Sequence, residues 1–334
     1  MNLASRYLGL QLAHPIVAAA SPLTATLDGM RRLEDAGAAA VVMASLYEEQ
    51  IRAEDTAYAL YTEHGSLSQP EAGSYFPELA DYDNGVSGHL ETLRRASEAL
   101  EIPVIASLNG TTSEGWIEHA HSLEQAGAAA IELNVYSIPI DLAVSGAEIE
   151  RRYVEIVREV RSSVRIPIAV KLAPYFTSLP HLAAELIRAG ANGLVLFNRY
   201  YAPDIDLVTL RVTRALPLST AAELPLSLVW IALLSRRLAC SLAASRGVET
   251  DVEVIKYLLV GADIVTTASA LLRHGPEHVA TMREGLERWL GENGFDSVEA
   301  IRGLKDATHV EHVDALFRAQ YVASLTEYLP GKLV

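Results

Sequence analysis

Lys171 lies in Ile168-Ala169-Val170-Lys171-Leu172, a run that is otherwise apolar. A cation in such a run either finds a partner or gives up its charge. Two readings stay open: a structural ion pair, or a positive charge held where negative charge develops. Lysine is seldom buried without a task, which favours the second. Asn109, Asn134 and Asn198 each close an apolar run. A primary amide offers two donors and an acceptor in one plane, as the edge of a planar heterocycle requires. One such asparagine could cap a loop, whereas three converging on one place describe a binding site. Ser21, Ser45, Ser245 with Gly247, and Ser269 hold the equivalent place in four further runs. Ser245-Arg246-Gly247-Val248 precedes a helix expected near Thr250, and Ala268-Ser269-Ala270 leads into another short helix. Helix N-termini and backbone amides meeting there would suit a phosphate. Arg246 either adds a positive charge to that place or is a solvated surface residue.

These residues need a scaffold that brings chain segments far apart in sequence to one mouth, and an internal repeat supplies it. A helix-like segment ending in a small-Gly-Ala turn runs into an apolar strand four times, at Leu33 to Ala38, Leu123 to Ala128, Ile187 to Ala191 and Leu259 to Ala262. Glycine suits the left-handed residue that ends a helix. A second repeat interleaves with it, because Ile102-Pro103-Val104-Ile105-Ala106 and Ile166-Pro167-Ile168-Ala169-Val170 both open a strand with a proline that needs no donor there. With Ile16 to Ala20 and Ala239 to Ala244 there are eight apolar strands, all but one adjacent pair separated by a clear helical pattern. The expectation is an α/β fold, a (β/α)8 TIM barrel, with one domain spanning 1–334. Two long connections, Leu46 to Ser87 and Asn198 to about Pro225, follow the second and sixth strands and are expected to cover the site. Glu292 to Leu304 reads as a closing helical segment.

Composition narrows the partners. The net charge of −15 with no basic patch argues against a nucleic acid partner. Cys240 is the only cysteine, so neither a disulfide nor a four-thiolate cluster can form within the chain, as suits a reducing cytoplasm. No apolar stretch approaches the roughly 20 residues that span a bilayer, and Met1 to Gly9 has no leader pattern, so the chain is expected to be neither secreted nor membrane-spanning. His119 and His121 diverge on a helix, and His309 with His312 lack an obvious third ligand, so no metal site is expected. There is no Gly-x-Gly-x-x-Gly, P-loop or nucleophile elbow.

Over nearly its whole length the sequence resembles the dihydroorotate dehydrogenase family, within it a divergent dehydrogenase-like group. The resemblance is carried by Tyr7-Leu8-Gly9-Leu10, His14-Pro15-Ile16-Val17, Ala19-Ala20-Ser21, Glu132-Leu133-Asn134, Val170-Lys171-Leu172-Ala173-Pro174-Tyr175-Phe176, Gly247-Val248-Glu249-Thr250 and Ala268-Ser269-Ala270-Leu271-Leu272. It implies an FMN cofactor that takes a hydride from dihydroorotate, giving orotate. It also implies that Lys171 contacts the flavin and steadies the reduced anion, and that Ala20 and Ser21 line the flavin. Asn134 would touch flavin or substrate, Asn198 the substrate, and Gly247 with Ser269 the ribityl phosphate; Ser45, Asn109, Ser245, Arg246 and Ala268 complete the expected cofactor surround. The position of the family's catalytic base is held by Ser137, which is either that base, passing its proton to an ordered water, or only a loop residue before Pro139. A cytoplasmic homodimer acting on a small molecule, with an unidentified electron acceptor, completes what the resemblance implies.

Three positions depart from the family pattern. Its second-strand lysine is replaced in Met43-Ala44-Ser45; its Asn-x-x-Gly-x-x-Asn substrate loop is missing, the region reading Tyr75-Phe76-Pro77-Glu78-Leu79; and its Gly-Gly pair is Arg246-Gly247. Lost hydrogen-bond partners can redirect specificity. The alternatives are an FMN barrel with another substrate, a Schiff-base enzyme using Lys171, a flavin barrel acting on tRNA uridine, and a catalytically inactive partner protein.

Overall fold

The computed structural model describes residues 1–51, 85–110, 116–199, 204–212, 217–307 and 313–327. Eight parallel strands close on themselves. In chain order they are β3 (Ile16–Ala18), β4 (Val41–Val42), β6 (Val104–Gly110), β7 (Ala130–Val135), β8 (Ile168–Leu172), β9 (Gly193–Leu196), β12 (Ser241–Ala244) and β13 (Ile264–Thr267). Each pairs with the next, and β13 pairs back onto β3 through Val265↔Ile16. β5 (Leu46–Tyr47) continues the second strand after an interruption at 43–45 and pairs with the far end of β6. The expected eight-stranded barrel is therefore the fold observed.

The repeats have a physical basis. At each small-Gly-Ala turn the glycine is left-handed, with φ of 87°, 96°, 112° and 105° at Gly37, Gly127, Gly190 and Gly261. The alanine after it donates its N–H five residues back, from Ala38 to Leu33, Ala128 to Leu123, Ala191 to Leu186 and Ala262 to Tyr257. This is the Schellman closure, which satisfies a carbonyl the helix would leave unpaired. The glutamate in two copies does more. Glu34 Oε1 accepts the N–H groups of Glu101 and Ile102 at 2.7 and 3.0 Å, and Glu124 Oε1 accepts those of Arg165 and Ile166 at 2.7 and 3.0 Å. Each side chain thus ties its own helix to the start of the strand beside the one the helix feeds. Pro103 and Pro167, next in line, donate nothing, yet their carbonyls accept Val41 N–H and Ile131 N–H from neighbouring strands.

Alternation along the strands separates two cores. Outward residues such as Ile131, Leu133, Val170 and Leu196 pack against the helices. Inward residues Val17, Val42, Ile105, Ala130, Ala169, Val195, Ala243 and Ile264 fill the lower barrel. An antiparallel hairpin of β1 (Ser5–Tyr7) and β2 (Leu10–Leu12) plugs that end with Tyr7, Leu8 and Leu12. Its tip, Leu8-Gly9, has positive φ at both residues, as a tight two-residue hairpin demands.

Of the two long connections, residues 52–84 lie outside the described residues, including Tyr75 to Leu79. The second contains an exposed two-stranded hairpin, β10 (Ile205–Asp206) with β11 (Arg211–Val212), and ends at the helix Leu224–Leu234. The tail departs from expectation. The helix His278–Glu292 ends where a closing helix was expected to begin, a short helix Val298–Ile301 follows, and a further helix covers Val313–Glu327. Gly294, left-handed at φ 75°, breaks the segment. His309 and His312 lie outside the described residues. No described helix is long and apolar enough to cross a membrane.

Candidate active site

Two residues above the apolar plug, the inward positions become polar: Ser107 on β6, Glu132 on β7, Lys171 on β8, Ser245 after β12 and Thr266 on β13. The same pleat that buries Ile105, Ala130 and Ala169 carries Ser107, Glu132 and Lys171 upward to the mouth.

Lys171 is paired, with Nζ 3.1 Å from Glu132 Oε1, and the two side chains are 11 % and 4 % exposed. Glu132 also accepts a longer contact from Asn134 Nδ2 at 3.5 Å. Asn134 Nδ2 donates to Ser107 Oγ at 3.0 Å, Ser107 Oγ is 2.8 Å from Ser45 Oγ, and Asn198 Nδ2 donates to Asn134 Oδ1 at 3.3 Å. The result is one network from the second strand to the sixth. Below it, burial pushes the Tyr7 hydroxyl well above the usual tyrosine range and the Glu132 charge adds to the push, so this phenol stays neutral beneath the pair.

Lys171 and Asn198 line a cavity of about 230 Å³, together with Ala20, Ser21, Ser245, Arg246, Ala268 and Ser269. Its apolar wall comes from Phe197, Leu218, Val248 and Leu272. Eight of the residues singled out from sequence thus share one space, and Asn134 and Ser45 join it through hydrogen bonds. Asn109 is partly buried and in register with Asn134, but no side-chain hydrogen bond among the described residues ties it to the network. Ser137 is half-buried, two residues beyond β7.

The expected phosphate turn is built tightly. Arg246 and Gly247 are both left-handed, at φ 79° and 68°. A Cβ on Gly247 would lie 2.7 Å from the Leu224 nitrogen, so glycine is required there. Tyr257 donates from its hydroxyl to Arg246 O at 2.8 Å, and burial raises the pKa of this phenol, keeping it a donor. Thr250 caps the following helix as expected, accepting from Val252 N. Ser269 opens the helix Ser269–His274, and its Oγ accepts from Ser219 N and Ser219 Oγ at 3.0 and 2.9 Å. The Arg246 guanidinium is not free in solvent: it pairs with Glu223, whose other oxygen lies 3.6 Å from Arg199 Nη2. Arg199 and Ser219 also line the cavity.

The sequence model described as dihydroorotate dehydrogenase matches residues 80–290. The chain belongs to the dihydroorotate dehydrogenase family. Among curated relatives, a protein of Aeropyrum pernix provisionally named dihydroorotate dehydrogenase A (fumarate) is 28% identical over 298 residues, covering 84% of this chain and 96% of its own. The dihydroorotate dehydrogenase B (NAD(+)) catalytic subunit of Methanothermobacter thermautotrophicus is 28% identical over 305 residues, covering 88% and 95%. That of Pyrococcus abyssi is 26% identical over 306 residues, covering 89% and 96%.

Membership in the dihydroorotate dehydrogenase family makes sense of the cavity's donor set. An ammonium, a primary amide, hydroxyls and an apolar wall suit a flat ring with polar edges, and the tight turn beside Ser269 suits an anionic tail, so the residues present fit FMN. Glu132, Ser107, Arg199 and Glu223 were not singled out from sequence. Glu132 and Ser107 were within reach of sequence reasoning, since each stands two residues before an expected site asparagine and so shares its face.

Proposed function

We propose that this chain is an FMN-dependent oxidoreductase that oxidises dihydroorotate, or a related dihydropyrimidine, to orotate in pyrimidine biosynthesis. One observation carries the reading: Lys171 and Asn198 open onto the same cavity as Ser245, Arg246 and Ser269. Bound FMN would supply a two-electron acceptor for a hydride. Lys171 would hold a fixed positive charge where negative charge builds on reduction, which acts strongly in a dry, preorganised site. Ala20 and Ser21 would line the flavin, and Gly247, Ala268 and Ser269 would receive its phosphate. Asn198, held by Asn134, would present an amide to the substrate, and Ser137 would take the carbon-bound proton and pass it to an ordered water. In this account the protein works in the cytoplasm as a homodimer, and the reduced flavin passes its electrons on to a separate acceptor.

The interruption of the second strand supports a substrate other than dihydroorotate as the second reading. Ser45, in the segment where the family pattern has a lysine, is hydrogen-bonded to Ser107 and offers no charge. An absorption spectrum of the protein purified without added cofactor, followed by anaerobic dihydroorotate, separates these. Flavin bands that bleach support oxidation of dihydroorotate, and bands that persist support another substrate. Absence of bands after FMN is supplied rules out the flavin reading.

A further inference from the structure

The lysine that faces the cavity does not present an isolated charge. Glu132 Oε1 sits 3.1 Å from Lys171 Nζ, on the strand next to it and on the inward face. Asn134 Nδ2, 3.5 Å away, Ser107, opposite Glu132 on β6, and the neutral Tyr7 hydroxyl below are other polar groups near the carboxylate, and among the described residues Lys171 is its paired cation. At this separation and burial a carboxylate cancels a large part of an ammonium's field a few ångströms further on, because little solvent screens either charge.

We propose that Glu132 is a positioning residue that sets how much of the Lys171 charge reaches the flavin, and thereby the flavin's reduction potential. The inference rests on the FMN reading above. Two pieces of geometry support it. The pair spans adjacent strands, so the lysine's long chain is drawn toward the carboxylate across the β7–β8 register. Lys171 lines the cavity, whereas the more deeply buried Glu132 is not among its lining residues, so the carboxylate can moderate the charge without itself touching a ligand. Strengthening the net positive field favours the reduced, more negative flavin.

The test is the midpoint potential of FMN-loaded protein, measured by dye equilibration at neutral pH, for the wild type, Glu132→Gln, Glu132→Asp and Lys171→Met. Glu132→Gln keeps shape and removes one negative charge. The expected result is a two-electron reduction equilibrium shifted at least tenfold toward reduced flavin, or about 30 mV upward, while Lys171→Met shifts it the opposite way. Glu132→Asp keeps the charge but draws it back from the ammonium, so a smaller upward shift is expected, and it carries the test if the amide variant does not fold. A potential unchanged or lowered in the Glu132 variants, with flavin still bound, overturns this inference alone. Wild-type protein that takes no FMN overturns it together with the proposed function.

Discussion

Asn198 Nδ2 donates to Asn134 Oδ1 at 3.3 Å, reaching across β8 from the end of one strand to another 64 residues earlier. Asn198 is held from two sides, since its Oδ1 also accepts from the Arg199 N–H at 2.8 Å. Asn134 is fixed from the other side by Ser107, which is fixed in turn by Ser45. The amide that opens onto the cavity is therefore held by a chain of partners running back to the second strand.

Asn134→Ala should remove the acceptor that orients Asn198 and the donor that satisfies Ser107. A buried polar group left without its partner costs about 1–3 kcal/mol. The variant should melt lower and, in the proposed reaction, lose turnover with flavin still bound. Melting curves alongside single-turnover bleaching check both. Unchanged bleaching kinetics would show that the orientation of Asn198 is irrelevant to the chemistry.

The barrel was legible in sequence because its signals are local. A Schellman turn uses a glycine and an alanine at fixed spacing, and a strand entry tolerates proline, so Gly37 with Ala38 and Ile102 with Pro103 announce themselves. Lys171 was legible for a related reason, as a charge among apolar neighbours. Its partner was not, because pairing with Glu132 is decided by the register of β7 on β8, and that register appears only when the barrel closes. Arg246 illustrates the same limit. Nothing near it in sequence points to Glu223, which arrives from 23 residues away at the entry to a different helix.

The interleaved repeats predict a stability effect far from the site. Glu34→Ala should leave the N–H groups of Glu101 and Ile102 without their carboxylate acceptor. Bonds to a charged group contribute about 1.5–3 kcal/mol each in favourable cases, less where solvent can substitute. A loss of about 2 kcal/mol is expected in urea unfolding, with flavin affinity of the folded protein unaltered. Glu124→Ala should behave alike through Arg165 and Ile166. A silent Glu34 variant would mean that water serves both strand entries equally well.

Gly247→Ala should separate cofactor binding from the chemistry. The new Cβ would stand 2.7 Å from the Leu224 nitrogen in a residue held at φ 68°. Left-handed strain alone costs about 1–2 kcal/mol, and the backbone of the turn must also shift. FMN dissociation measured by fluorescence should weaken about tenfold, consistent with a change of about 1.4 kcal/mol, while the bleaching rate of the fully loaded variant should change far less. The reverse pattern would place the phosphate elsewhere.

A buried histidine, His14, and a half-buried one, His89, should make the protein acid-sensitive above the carboxylate range. His14 is fixed as a neutral ring, donating from Nε2 to Gly37 O at 2.6 Å while Nδ1 accepts Ile16 N–H at 3.2 Å. Burial lowers its pKa, partly opposed by the bond to Gly37, and burial lowers that of His89 to about 4. In both, the unfolded chain takes up a proton that the folded protein refuses, so stability rises with pH through this window. The contribution is complete above about 6.5 and is lost as pH falls toward the folded value. For His89 that amounts to about 3 kcal/mol between pH 6.5 and 4. Unfolding midpoints in urea, followed from pH 7.5 to 4.5, should fall steadily below 6.5. His89→Gln, which cannot take up the proton, should flatten part of that fall. An unchanged slope in the variant would show that His89 is free to titrate in the folded protein.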